Sequence, residues 1–135
     1  MRRLLLSIAV ACCAAGAAAP AGVAANSPAA QCRGTDRVIP KRVRFGRGRT
    51  TAVIRDTVRL CTSHEYTLRA GAGQRMSVHL ATGRRTSFTV QSPSGTLEGA
   101  DGVTDWTGEL PESGDYLIQI GTDATAAYTL EVTVR

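Results

Sequence analysis

Residues 65–80 read EYTLRAGAGQRMSVHL. Tyr66, Leu68 and Ala70 alternate with polar neighbours. After GAGQ the alternation resumes at Met76, Val78 and Leu80, with Ser77 and His79 between them. A period of two sends successive side chains to opposite faces of a strand, so this stretch reads as two half-buried strands joined by a turn. The pattern extends both ways. Towards the N-terminus, Val43 and Phe45 alternate with Arg42 and Arg44, GRGRT (46–50) turns the chain, and Thr51 to Leu60 is β-branched and arginine-rich. Towards the C-terminus, Phe88 and Val90 follow a turn near GRR. Asp105 to Leu110 holds the one tryptophan, and Tyr116, Ile118 and Ile120 form a further inward face. Tyr128, Leu130, Val132 and Val134 close the set. No stretch after the leader carries a helical period, and turn signals recur every eight to twelve residues. The expectation is an all-β fold, an antiparallel eight-stranded β-sandwich of jelly-roll-like form over residues 38–135.

The first 25 residues read as a signal peptide: Arg2 and Arg3, an apolar run from Leu4 to Ala19, then small residues at Val23-Ala24-Ala25. That run is too short and alanine-rich for a membrane span, and no later segment is apolar enough, so no transmembrane segment is expected. A looser alternative, AVAC at 9–12, would place a lipid on Cys12. Cleavage after Ala25 leaves a periplasmic or secreted chain with an N-terminal arm at 26–37 and one domain behind it. Cys32 and Cys61 are then the remaining cysteines. In an oxidising compartment a disulfide between them is the default, tying the arm to the body.

Charge is divided along the chain. Residues 26–85 hold 13 basic and 3 acidic residues, and residues 86–135 hold 1 basic and 8 acidic. Basic and acidic strands lying side by side in one sheet would account for this, and so would one face for a cationic partner and another for an anionic partner, of which the first is favoured. Nucleic acid is not an expected partner, because the arginines alternate with core positions and not with exposed aromatics.

Catalytic machinery is not visible. The candidate bases are His64, read as lying in a turn before Tyr66, and His79, read as the solvent side of a strand; neither adjoins a nucleophile motif. The carboxylates between Glu98 and Asp115 fall in or beside loops, where they are expected to stay hydrated, and nothing predicts the burial that would raise one of them into an acid and base pair. The GADGVTD segment offers Asp101 and Asp105 but too few oxygens for calcium. No enzyme activity, cofactor or metal is expected. The loop at 92–104, SPSGTLEGADGVT, instead has the makings of an interface, with Trp106 beside Asp101 and Asp105. A lone tryptophan in a small sandwich is also a natural core residue.

Three segments together resemble a known family: RVRFGRGRTTAVIRDTV (42–58), EYTLRAGAGQRMSVHL (65–80), and LPESGDYLIQI (110–120) with AYTLEVTV (127–134). They are similar to the periplasmic inhibitors of g-type lysozyme. They also resemble the bacterial prepeptidase C-terminal domains, small sandwiches that share the GQ and SGDY elements. The opening around Phe45, Gly48, Thr50 and Ala52 favours the inhibitors. That resemblance implies a lysozyme partner, blocked by loops inserted into its active-site cleft, and basic residues in the loop between the last two strands. Here that loop is GTDATA (121–126), which has Asp123 and no arginine. The prepeptidase likeness implies binding to cell-wall polymer or polysaccharide, with Arg42, Arg44, Arg55 and Arg59 as a basic strand face. In SGDY, Tyr116 is in phase with Ile118 and Ile120, so the turn reads as mainly structural. Gly114 is expected in a conformation other residues resist, and Ser113 and Asp115 remain to contact a partner. The partner-binding candidates are therefore Asp101, Asp105, Trp106, Ser113, Asp115 and Asp123.

Overall fold

The computed structural model describes Cys32, residues 37–83 and residues 85–135. The leader and Cys12 lie outside the described residues, as do Arg84 and all of the N-terminal arm except Cys32 and Arg37. Among the described residues nine strands follow one another: β1 (Arg37–Arg42), β2 (Thr51–Val58), β3 (Thr62–Ala70), β4 (Arg75–Thr82), β5 (Thr86–Ser92), β6 (Gly95–Thr96), β7 (Asp105–Glu109), β8 (Gly114–Thr122) and β9 (Ala126–Val134). They form two sheets, ordered β1-β3-β8-β5-β6 and β2-β9-β4-β7. The strand beyond the expected eight is the two-residue β6, paired with β5 as a hairpin.

One pairing departs from the expected antiparallel arrangement: β1 runs parallel to β3, with Lys41 opposite Tyr66. Its Pro40 is accommodated because β1 is an edge strand. Val43 and Phe45, read as strand residues, lie just past its end. The Val43 amide still bonds to the Thr67 carbonyl at 3.0 Å, and Val43 is buried. The Cys32–Cys61 disulfide forms at the start of β3. Closing a loop of this length is worth roughly 3–4 kcal/mol on the chain-entropy view.

The alternating residues fill the space between the sheets. Tyr66, Leu68, Phe88, Val90, Tyr116, Ile118 and Ile120 enter from one sheet, and Met76, Val78, Leu80, Leu130 and Val132 from the other, all at most 2% exposed. Apart from the β5–β6 hairpin, no strand pairs with its neighbour in sequence, so each of the other connections passes from one sheet to the other. The GAGQ turn and the LPES turn are two such crossings, and they are stitched together. The Gly73 amide donates to the Leu110 carbonyl and the Leu110 amide to the Gln74 carbonyl, both at 2.8 Å, while Ser113 Oγ accepts the Ala72 amide at 2.9 Å. Gly73 has φ of 81°, which only glycine adopts without strain. The segments at 65–80 and 110–120, two of those quoted for the family resemblance, are thus joined into one structural unit, and SGDY serves the scaffold.

Gly114 corrects an expectation. Its φ does not lie in the left-handed region. The constraint is space, since a Cβ there would sit 2.6 Å from Pro93 Cγ. Tyr116 is fully buried and its hydroxyl donates to the Glu112 carbonyl at 2.6 Å.

The division of charge is partly resolved by register. Arg69 lies opposite Asp115, Arg75 opposite Glu109, and His79 opposite both Asp105 and Glu131. Of these, His79 and Asp105 close into an exposed hydrogen bond.

Candidate functional site

The segment from Thr96 to Asp105 carries the chain from the edge of one sheet to the edge of the other. Backbone bonds pin it throughout. Val90 donates to Ala100 and Leu80 to Thr104, each at 2.8 Å, and Phe88 and Val103 exchange bonds at 2.8 and 3.0 Å. Ala100 is buried beneath it. Asp101 Oδ1 accepts the Thr89 hydroxyl at 2.8 Å, and that hydroxyl in turn accepts the Gly102 amide at 3.2 Å. The strap is therefore fixed in shape, and it holds Glu98, Asp101 and Asp105 exposed along its length. The hydrogen bond from His79 holds the Asp105 carboxyl below its ordinary value.

Trp106 is neither a free anchor nor a full core residue. It is half-buried against the core, its Nε1 donates to the Glu98 carbonyl at 3.0 Å, and its ring lies over Gly108. A Cβ on Gly108 would meet the ring at 2.4 Å, so the W-x-G spacing lets the indole lie flat and brace the strap.

The strap adjoins the turn between β8 and β9. An open hollow of about 560 Å³ is lined by Arg85, Gly102, Thr104, Thr122 and Asp123. Asp123 is exposed, with its amide bonded to the Arg85 carbonyl at 3.1 Å. The structure thus brings Asp123 next to the segment that bears Asp101 and Asp105. Ser113 and Asp115 stand at the opposite end, beside the GAGQ turn, and the Ser113 oxygen is already used by Ala72. Nor do Arg42, Arg44, Arg55 and Arg59 share a face. Arg42 is on β1 and Arg55 on β2, in different sheets, because the intervening connection crosses between them.

Sequence reasoning placed His64 wrongly. β3 begins at Thr62, so His64 falls on its inward face and is 3% exposed. It belongs to a polar cluster between the sheets. His64 Nδ1 lies 2.7 Å from the Tyr128 hydroxyl, Tyr128 lies 2.6 Å from the Tyr66 hydroxyl, and Tyr66 donates to Asp56 Oδ2 at 3.5 Å. Lys41 pairs with the same carboxylate and the Thr57 amide donates to it at 2.7 Å. The donor order follows from chemistry: a carboxylate only accepts, so Tyr66 donates to Asp56, Tyr128 to Tyr66, and His64 Nδ1–H to Tyr128. Burial holds His64 below its ordinary value and pushes Tyr66 and Tyr128 up. Burial works to raise Asp56, but Lys41 and the Thr57 amide outweigh it and the carboxyl lies below its ordinary value. The signal was present in the sequence, since His64 is in phase with Tyr66 and Leu68.

Among the described residues no group of three or more His, Cys, Asp and Glu could hold a metal ion, and no helix is long and apolar enough to cross a membrane.

Aeromonas hydrophila PliG, a periplasmic lysozyme inhibitor of g-type lysozyme, matches this fold with a TM-score of 0.65 and 27% identity, over 74% of this chain and 99% of that one. The chain has the fold of the periplasmic g-type lysozyme inhibitors. Salmonella Typhimurium PliG shares it at a TM-score of 0.57 and 18% identity, over 71% of this chain and 97% of the other. The pre-peptidase C-terminal domain of a Bacillus anthracis collagenase is a remoter likeness, with a TM-score of 0.47 and 9% identity, over 74% and 96% of the two chains. No protein-family model and no curated protein sequence matches the chain.

Proposed function

We propose that this protein is a periplasmic inhibitor of g-type lysozyme, acting by occlusion of the active-site cleft. The likeness to Aeromonas PliG carries the reading, because it runs over essentially the whole of that inhibitor. The contact surface is the fixed strap together with the β8–β9 turn. A rigid surface of this kind loses little conformational freedom on docking. The turn lacks a basic residue of its own, but Arg85 stands beside it and lines the same hollow as Asp123. The hollow therefore presents a cation and an anion next to the strap carboxylates.

Lysis of cell walls followed by turbidity tests the reading, with the purified protein titrated against g-type, c-type and i-type lysozymes. Saturable inhibition of the g-type enzyme supports it. No inhibition of any of the three at micromolar protein overturns it.

A further inference from the structure

The end of the sandwich opposite the β8–β9 turn carries a second charged surface. A hollow of about 210 Å³ lies there, floored by Phe45 and Val134 and walled by Arg49, Arg69 and Gln74. A second, of about 340 Å³, is lined by Arg75, Ser77, Thr133 and Arg135. Gln74 precedes Arg75 and Val134 precedes Arg135, so the two hollows lie at the same end of β4 and β9. The first also straddles the sandwich, since Arg69 comes from β3 and Arg49 from the turn leading into β2.

Like the other arginines among the described residues, Arg49, Arg69, Arg75 and Arg135 have no counterion within the protein. None of the four side chains enters a hydrogen bond, an ion pair or a ring contact. Asp115 is in register with Arg69 and Glu109 with Arg75, yet neither carboxylate reaches its arginine. Arg75 and Arg135 are moreover held directly opposite each other, their backbones exchanging bonds at 2.9 and 3.0 Å. Like charges in that position are unfavourable, and a bound anion would relieve them.

We propose that this end of the molecule binds an extended anionic polymer, with one charged group seated between Arg49 and Arg69 and the next between Arg75 and Arg135. Planar guanidinium groups suit carboxylates and phosphates alike. A nucleic acid fits less well. Phe45 is packed against the core and Trp106 is bound to the strap, so no exposed aromatic offers bases a place to stack. The site is separate from the surface assigned to lysozyme and stands whether or not inhibition is found.

The test is retention of the whole protein on immobilised polygalacturonate and on inorganic polyphosphate over a range of salt. Retention is expected at low salt and release as salt screens the arginines. The polymer that holds the protein to the higher salt identifies the charged group as carboxylate or phosphate. Arg49→Gln, Arg69→Gln and Arg75→Gln together should weaken binding about ten-fold. A control removing the same charge elsewhere, Arg55→Gln with Arg59→Gln and Arg85→Gln, should leave it nearly unchanged. Amide shifts of the unsubstituted protein with trigalacturonate or tripolyphosphate should centre on Gln74 and Arg75, which requires no variant to fold. Equal loss in both triple variants, no retention on either polymer, or tighter binding to a single-stranded oligonucleotide overturns the proposal.

Discussion

The hydroxyl groups of Tyr66 and Tyr128 meet 2.6 Å apart, one from each sheet, at the centre of the cluster that His64 and Asp56 complete. Tyr128 is both donor and acceptor there. Tyr128→Phe leaves the buried His64 N–H without a partner and should cost about 1–3 kcal/mol. Chemical denaturation checks this; a loss below about 0.5 kcal/mol would mean that the bond contributes little.

Acid should weaken the fold in two stages. His64 is held below its ordinary value of 6.5, so as pH falls the unfolded chain takes up a proton before the folded one does. Stability is therefore full above that value and declines below it. Asp56, also held low, adds stability above its ordinary value of 3.8 that is lost in stronger acid. Melting temperature recorded from pH 7.5 to 3 should show both declines, and His64→Gln should remove the upper one alone.

Pro93 and Gly114 should be coupled. Gly114→Ala drives a methyl into the proline ring and should cost about 1–3 kcal/mol by overpacking. Pro93→Ala removes the Cγ it meets, so the double variant should recover much of the loss. Additive effects in a double-mutant cycle would contradict the close approach.

The inhibitory surface has its own prediction. Arg85→Ala with Asp123→Ala should weaken lysozyme inhibition about ten-fold or more if these side chains act as central anchors. Asp101→Asn with Asp105→Asn should chiefly slow association, as removed rim charges do. Both side chains of the first pair are exposed, so melting should be nearly unchanged. Ser113→Ala serves as the contrast: it lies at the far end, frees the Ala72 amide and should leave inhibition intact.

The strands and their inward faces were legible because burial imposes a period of two, and Tyr66, Leu68, Met76, Val78, Tyr116 and Ile118 all obey it. Pairing was not legible. GAGQ marks a turn whether the chain folds back within a sheet or crosses to the other, and only long-range packing decides. The same limit hid the parallel partner of β1 and the scattering of the four strand arginines. His64 was missed through a strand boundary placed four residues late, at Tyr66 where β3 begins at Thr62. The strap read only as a loop because its pinning comes from distant backbone groups at Leu80, Phe88 and Val90.

The position of β9 has a consequence for how the molecule comes into being. β9 lies between β2 and β4, and among the described residues β2 pairs with no other strand. One of the earliest strands to be made must therefore wait for the last nine-residue strand before it can join a sheet. Contacts so distant in sequence make for slow folding. In the growing chain the pairing edge of β2 therefore stays open until β9 has been made.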